Sequence, residues 1–364
     1  MSPGARAQGR NQGQTRGLRM DPHPFGFRNC VRRGWIFGRA GLLRRRESDR
    51  QRFGGTVPAV RVDKGQTKFP TQMSGFKTTG RTPGQPPPVG GSGSQGFDAP
   101  LSREAIEQAL GLAGSVRVDV VEQTGSTNDD LLESARLAAP DRPALRVALH
   151  QFAGRGRHGR RWHDARGRAL LFSVMTAWMR DPAVASAVTL ACGISVAEAL
   201  RQRGIEARLK WPNDLLLSDR KLGGILTELA FDPLGRASLV VGVGLNLCLD
   251  PETRVAIDQP AAALDERVVE ARLASEREVW IALLARAVLD AIEQFDRDGF
   301  AAFRARFEGL FAYAGRPVVL LQAGLPTLTG IPVGVDGEGR LLLSTDAGVQ
   351  AVASGELSLR ASDA

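Results

Sequence analysis

Between residues 101 and 311 the apolar positions switch between two periods. Spacings of three and four residues predict helices over 102–111, from Ser126 to about Ala139, over 184–203, and over 275–298 and 300–311. The 184–203 helix reads as long and amphipathic. Ser102 and Ser126 suit helix N-caps, and Asp129 and Asp130 suit the positive end of the second helix. Short apolar runs predict strands at 116–122, 145–151, 169–178, 207–217, 222–231 and 238–247. The last three are joined by turns such as Ser218-Asp219-Arg220 and Pro233-Leu234-Gly235, and connections this short require antiparallel neighbours. After Gly315 the pattern changes to strands at 317–322, 328–336, 340–344 and 348–352 with Gly-rich turns, the signature of a small barrel.

Residues 1–98 carry no such pattern. They are rich in Arg, Gly, Gln and Pro, cannot bury enough apolar surface to offset chain entropy, and are expected to be disordered. A solvated tail, a start at Met73, an Arg-rich targeting peptide and a polycationic nucleic-acid binder are the readings open for them. The domains expected are therefore 1–98, a folded domain over 99–313 beginning near Leu101, and a small C-terminal unit over 314–364.

Charge sharpens this division. The chain has 364 residues and a net charge of +9, but residues 1–100 hold +13 and the remainder −4. The folded part is thus slightly acidic, which argues against nucleic-acid binding through its surface. No stretch approaches the ~20 uncharged apolar residues of a membrane helix, and no secretory signal is present, so a cytoplasmic protein is expected. Three scattered cysteines exclude a disulfide framework, and His150, His158 and His163 lack partners at zinc-ligand spacing. No metal cluster is expected.

Three constellations carry chemistry. In Gln151–Trp162 (QFAGRGRHGRRW), Gly154, Gly156 and Gly159 satisfy GxGxxG, yet no helical period follows, so a dinucleotide fold is rejected. Glycines that expose backbone N–H groups, with Arg155, Arg157, Arg160 and Arg161 between them, suit an anion instead. The second is Lys210-Trp211-Pro212-Asn213-Asp214 followed by Lys221-Leu222-Gly223-Gly224. Residues 101–364 contain 28 Arg but only two Lys, Lys210 and Lys221, which points to sites where a compact ammonium is wanted. Asn213 is a candidate for amide recognition and Asp214 for Mg²⁺ or nucleotide binding. The third is 241–247 (VGVGLNL), where glycines inside a strand imply close approach to the backbone and Asn246 needs a partner, an adenine edge being one candidate. No GxSxG, Cys–His pair or Walker A motif is present. Phosphate-neutralising groups beside amide recognition suit activation of a carboxylate by ATP.

These motifs resemble those of the biotin–protein ligases. GRGRHGRRW at 154–162, KWPNDLLL at 210–217, KLGGIL at 221–226, VGVGLNL at 241–247 and Gly125-Ser126-Thr127-Asn128 occur in the family's order, and GELSLR at 355–360 resembles the end of its C-terminal SH3-like barrel. The resemblance implies an α+β fold, a mixed, largely antiparallel sheet flanked by helices, related to class II aminoacyl-tRNA synthetases and followed by a small SH3-like β-barrel. It implies two steps: biotin and ATP, with Mg²⁺, give biotinyl-5′-AMP and pyrophosphate, and a lysine of a biotin carboxyl carrier domain then takes the biotin.

The resemblance also implies residue roles. Ser126, Thr127, Asn128 and Gln151 line the biotin head-group site. Gly154, Gly156 and Gly159 belong to the adenylate loop, with Arg155 and Arg157 on the carboxylate and phosphate. Lys221 bridges the two, Lys210 and Asp214 serve the nucleotide, and Trp162, Asn213 and Asn246 hold the adenine. The loop is expected to order around its anion.

Some members carry an N-terminal winged helix that represses genes. Residues 1–98 show nothing readable as a recognition helix, so a ligase without specific DNA binding is expected, and a homodimer is compatible with the sequence. The competing readings are a lipoate–protein ligase or octanoyltransferase, against which GRGRHGR and KWPND argue, and a DNA-binding regulator favoured only by the basic tail.

Overall fold

The computed structural model describes residues 96–322, 327–353 and 357–361, which belong to one of the chain's two compact units, Gly84–Ala364. The expectations for residues 1–95, including the absent winged helix, lie outside the described residues.

Local chemistry sets the first elements. Ser102 caps α1 (Arg103–Leu110) by accepting the Ala105 N–H at 3.1 Å, and Gly111 in the left-handed region ends it. After β1 (Arg117–Thr124), Ser126 caps α2 (Thr127–Leu137), with Asp129 and Asp130 in its first turn. There follow β2 (Ala144–Gln151), β3 (Ala169–Trp178), α3 (Ala185–Arg201), β4 (Arg208–Lys210), β5 (Asp214–Leu217), β6 (Arg220–Phe231) and β7 (Ala237–Asn246). The seven strands form one sheet in the order β1-β2-β3-β7-β6-β5-β4, parallel between β1 and β2 and antiparallel elsewhere.

Alternation along β3 and β7 gives the sheet two different faces. Leu170, Phe172 and Val174, with Leu239, Val241, Val243 and Leu245, join the main core against α3 and the later helix α6 (Arg277–Asp298). Met175 and Val240 point the other way and, with Ala230, pack under Leu131, Leu132 and Ala135 of α2. Helix α2 covers only part of that face. Over the rest, β6 and β7 present Gly224, Gly242 and Gly244, and a cavity forms there.

Several sequence expectations need correction. Helix α3 is not amphipathic: twelve of its 17 residues are buried, because the sheet lies on one side and α6 on the other. Residues Pro182–Arg201 are in fact long and apolar enough to span a bilayer, but most of that stretch is buried inside the protein. The single strand expected over 207–217 is a hairpin, β4 and β5 paired Lys210 to Asp214, around a cis Trp211–Pro212 bond. Both arms are apolar, so the run reads as one strand. The helix expected over 300–311 splits into a 3-10 turn, Phe300–Phe303, and α7 (Arg304–Leu310), and the short helices α4 (Pro251–Ala256) and α5 (Glu270–Ser275) show no period in sequence. Packing also begins before Leu101. Phe97 is buried, and the buried Arg277 donates to Phe97 O at 2.5 Å and Ala99 O at 2.7 Å.

The chain ends in an antiparallel sheet ordered β11-β10-β9-β8-β12, comprising β8 (Val318–Gln322), β9 (Leu328–Val335), β10 (Leu341–Thr345), β11 (Gly348–Val352) and β12 (Leu357–Ala361). Pairing of β12 with β8 returns the last strand to the first, as the small barrel read from the strand spacing requires. This sheet buttresses the β4–β5 hairpin. The buried Trp211 indole donates to Gly339 O at 3.1 Å in the β9–β10 turn; just after α7 and before the sheet, Ala312 N donates to Leu209 O at 2.8 Å.

The β6–β7 turn supplies a pH-linked prediction. Buried Asp232 accepts from Leu234 N and Arg236 N at 2.9 Å and from Arg236 Nε at 2.6 Å, and Ala139 N also donates to it. Burial alone would raise its pKa, but these bonds outweigh it and hold the group at about 2, below the ordinary 3.8. A depressed folded pKa contributes stability above the unfolded value that is lost as pH falls through the folded one. Asp232→Ala is therefore expected to lower Tm at pH 7, with the gap to wild type shrinking below pH ~4 and closing near pH 2; melts across this range check it.

Candidate active site

The cavity, about 320 Å³, lies over the glycine-lined part of the sheet. It is walled by the start of α2, the 154–162 loop, the β4–β5 hairpin, the start of β6 and residues 256–261. Every site residue predicted from sequence except Gly154 and Gly159 lines it: Ser126, Thr127, Asn128, Gln151, Arg155, Gly156, Arg157, Trp162, Lys210, Asn213, Asp214, Lys221 and Asn246. Gly154 and Gly159 belong to the loop itself.

One end of the cavity is lined by uncharged hydrogen-bonding side chains, backed by the Glu228 carboxylate. Gln151 Oε1 accepts from Thr127 N at 2.7 Å and Thr127 Oγ1 at 3.0 Å. Thr127 Oγ1 lies 2.7 Å from Ser173 Oγ, which donates to Asn128 Oδ1 at 2.6 Å, and Asn128 Nδ2 donates to Glu228 Oε2 at 2.8 Å. Ser126 serves chiefly as the cap of α2, its Oγ 3.4 Å from Asp129 N. The glycine floor is explained by these neighbours. A Cβ on Gly242 would overlap the Asn128 carboxamide, and one on Gly244 would lie 2.8 Å from the Trp162 ring. The close approach inferred for VGVGLNL is made first by the protein's own Asn128 and Trp162.

The other end is cationic. Lys221 reaches this face through a β-bulge: the β5–β6 register shifts between Leu215 and Leu216, so that Leu216 pairs with Lys221 and Asp214 with Gly224. The bulge sends Leu222 into the core and leaves Lys221 beside the cavity. Lys221 Nζ lies 2.8 Å from Asp214 Oδ1, and Lys210 Nζ 3.8 Å from Asp214 Oδ2. One carboxylate thus stands between the two lysines that the sequence set apart. Arg157 lies deeper. Its Nη1 is 3.5 Å from Asn213 Oδ1, burial lowers its pKa, and the more distant Asp214 only partly offsets this. A guanidinium keeps its charge throughout, so Arg157 adds positive potential to the cavity.

The 154–162 loop is a closed hairpin. Gly156 N donates to Arg160 O at 2.7 Å, Trp162 N donates to Gly154 O at 2.9 Å, and Arg155 and Arg161 form an antiparallel bridge. Contrary to expectation, Arg155 is taken up by protein carboxylates. Its Nε donates to Asp129 Oδ2 at 3.0 Å, Nη2 also binds Asp129 Oδ1, and Glu228 accepts from Nη1 and Nη2. Burial would lower the Arg155 pKa, but Asp129 and Glu228 outweigh it and raise it. Asp129 and Glu228 thus supply the counter-charge expected of a ligand and tie the loop to α2 and β6.

The adenine candidates are likewise engaged. Asn213 Nδ2 donates to Ile225 O at 3.1 Å, and Asn246 Nδ2 donates one of its two N–H groups to Ala262 O at 3.0 Å, which leaves Asn246 its oxygen as an acceptor and a second N–H. Trp162 stacks against Gly244, and its buried indole Nε1 has no hydrogen-bond partner among the described residues.

Sequence reasoning missed Glu228, Ser173, the 256–261 segment and the role of Asp129. Ser173 and Glu228 each interrupt an apolar strand run, Leu171-Phe172-Ser173-Val174 and Leu226-Thr227-Glu228-Leu229. The same argument that flagged Asn246, a polar residue needing a partner in the core, applies to both.

A cradle of uncharged donors and acceptors opening onto a cationic end, on a glycine-floored sheet, suits a polar acid beside a phosphate. Comparison with known proteins agrees with that class. Residues 120–246 match the model of the biotin/lipoate A/B protein ligase family, and residues 313–360 that of the biotin protein ligase C-terminal domain. The chain is 35% identical over 265 residues to the bifunctional ligase/repressor BirA of Escherichia coli, covering 72% of this chain and 80% of that protein. It is 34% identical over 270 residues to the biotin–[acetyl-CoA-carboxylase] ligase of Mycobacterium tuberculosis, covering 71% and 95%. It is also similar to the Aquifex aeolicus biotin protein ligase solved with biotin and ATP, with a TM-score of 0.54 and 30% identity over 68% of this chain and 99% of that one. The chain belongs to the biotin protein ligase family.

Proposed function

We propose that the protein is an ATP-dependent biotin–protein ligase that forms biotinyl-5′-AMP, releases pyrophosphate and transfers biotin to a lysine of a carboxylase carrier domain. The observation that carries this reading is the continuity of the cavity: uncharged donors and acceptors at one end, Arg157, Lys210 and Lys221 at the other. The ureido group of biotin needs neutral partners, and Thr127, Asn128 and Gln151 provide them. Its carboxylate and the α-phosphate both carry charge where Lys221 and Arg157 lie. The relatives' names support biotin over lipoate as the acid and a carboxylase carrier as the partner, and a cytoplasmic location is part of this reading.

In this reading Lys221 holds the attacking carboxylate against the α-phosphate, and Arg157 stabilises charge as it shifts to phosphate oxygens. Lys210 takes the remaining phosphates. Asp214 keeps the two ammonium groups apart and oriented. Asn246 offers its free oxygen to the adenine amino group, with Trp162 against the ring. Arg155 acts through the loop, which it ties to α2 and β6. Both oxygens of Asp214 face lysines, and the described residues contain no metal-ligating group of three. The residues do not form a Mg²⁺ cage, so Mg²⁺ arrives on the phosphates of ATP.

Pyrophosphate release from ATP and biotin, followed with and without a carrier domain, tests the reading; dependence on lipoate instead of biotin would overturn it. The glycine floor adds a sharper expectation. Gly242→Ala puts a methyl group into the Asn128 carboxamide and displaces it from Ser173 and Glu228. Loss of one or two positioned hydrogen bonds at ~1 kcal/mol each predicts about ten-fold weaker biotin binding by calorimetry, with the KM for ATP little changed.

A further inference from the structure

Below the biotin end of the cavity lies a buried carboxylate that the site does not use directly. The Asp164 side chain is fully buried, and its Oδ1 has no hydrogen-bond partner among the described residues. Its Oδ2 takes two contacts, His150 Nδ1 at 2.9 Å and Gln151 N at 3.4 Å. Burial pushes the Asp164 pKa up, while His150, the Gln151 N–H and the nearby Arg161 pull it back. A buried carboxylate with one oxygen unpaired costs folding free energy, and an apolar residue would fill the place more cheaply. Polar groups kept at such a cost concentrate where geometry serves function.

The contacts show what the geometry holds. His150 and Gln151 end β2, and Gln151 in turn receives Thr127 N and Oγ1 at the first turn of α2. Asp164 follows the returning arm of the Arg/Gly hairpin, which is tied back by Trp162 N to Gly154 O at 2.9 Å and by Arg161 Nη2 to Phe152 O at 3.3 Å. A single carboxylate thus joins the hairpin's return to the strand end from which Gln151 enters the cavity. Asp164 does not line the cavity, but Gln151 and His163 do.

We infer that Asp164 is a positioning residue for biotin recognition, fixing the end of β2 so that Gln151 meets Thr127 and the ligand. The inference rests on the biotin-ligase reading above.

The test measures biotin dissociation by calorimetry and the KM for ATP in wild type, Asp164→Ala, Asp164→Asn and His150→Phe. Asp164→Ala removes both acceptor contacts and is expected to weaken biotin roughly ten-fold, with the KM for ATP within about two-fold of wild type. Asp164→Asn retains an acceptor for both donors and is expected to restore affinity to within about three-fold. His150→Phe changes a partly exposed residue and leaves Asp164 on Gln151 N alone; a loss of about three-fold is expected, and this variant decides the matter if Asp164→Ala fails to fold. Unchanged biotin affinity in Asp164→Ala, or in His150→Phe where that variant stands in, overturns the inference. So does an equal loss for biotin and ATP, because a general structural role would not separate them. Wild-type protein that binds no biotin overturns the ligase reading itself, a distinct result.

Discussion

Lys221→Ala is expected to slow formation of biotinyl-AMP by roughly 10²–10³, the scale for removing one preorganised electrostatic stabiliser. Lys221 Nζ sits 2.8 Å from Asp214 at the cationic end of the cavity, aimed there by the bulge in β6. Its charge matters most when negative charge spreads over the α-phosphate, so the loss falls on kcat more than on substrate binding. Lys221→Arg is not expected to rescue. The ammonium lies close enough to Gly224 that a Cβ added there would meet it at 3.7 Å, and a planar guanidinium needs more room. Folding is expected to survive both changes, because Lys221 holds its place through its backbone, N to Pro260 O at 2.9 Å and O from Ala262 N at 2.8 Å. Transfer from pre-formed biotinyl-AMP is expected to suffer less than its formation. Single-turnover rates for each half-reaction check this, and near wild-type adenylation in Lys221→Arg would remove the role from Lys221.

Arg157→Gly is expected to release the intermediate. Arg157 is a part-buried cation of the 154–162 hairpin, and among the described residues its hydrogen-bond partner is the Asn213 oxygen at 3.5 Å, a long contact. Its charge is therefore available to the adenylate, whereas that of Arg155 is consumed by Asp129 and Glu228. Removing it leaves the hairpin closed through Arg155 but takes a cation from the phosphate. Biotinyl-AMP still forms and escapes faster, by about 10–100-fold if two charge-assisted bonds of ~1.5 kcal/mol each are partly lost. Adenylate in solution per turnover and labelling of bystander lysines measure it. Arg155→Gly is expected to act differently: it frees Asp129 and Glu228, loosens the hairpin, and lowers the rate of adenylate formation as well as its retention.

The contrast between these arginines marks where sequence reasoning reached its limit. Composition and spacing put four arginines and three glycines in one loop and pointed to an anion. They carried no information on Glu228, which lies 73 residues from Arg155 and meets it only because β6 passes behind the loop. That meeting ties the loop to α2 and β6, a contact no local pattern could show. The two lysines were legible as a pair because the rest of the folded region uses Arg, but their shared partner Asp214 was visible only once β4 and β5 paired Lys210 with Asp214 and the bulge turned Lys221 toward them.

Local chemistry, by contrast, was readable directly. Ser102 and Ser126 cap the helices assigned to them, Gly111 ends the first, and the short turns between β5, β6 and β7 enforce antiparallel order, because each depends on interactions within a few residues. The order of motifs along the chain was enough to identify the family. Tertiary structure decided what depends on contacts between distant segments: that α3 is buried on both sides, that the apolar run at 207–217 folds back on itself, that Asn128 and Trp162 occupy the space left by Gly242 and Gly244, and that Asp164 closes beneath Gln151. A local pattern fixes which way a side chain points within its own element, while the partner it meets is set by which elements the core brings together.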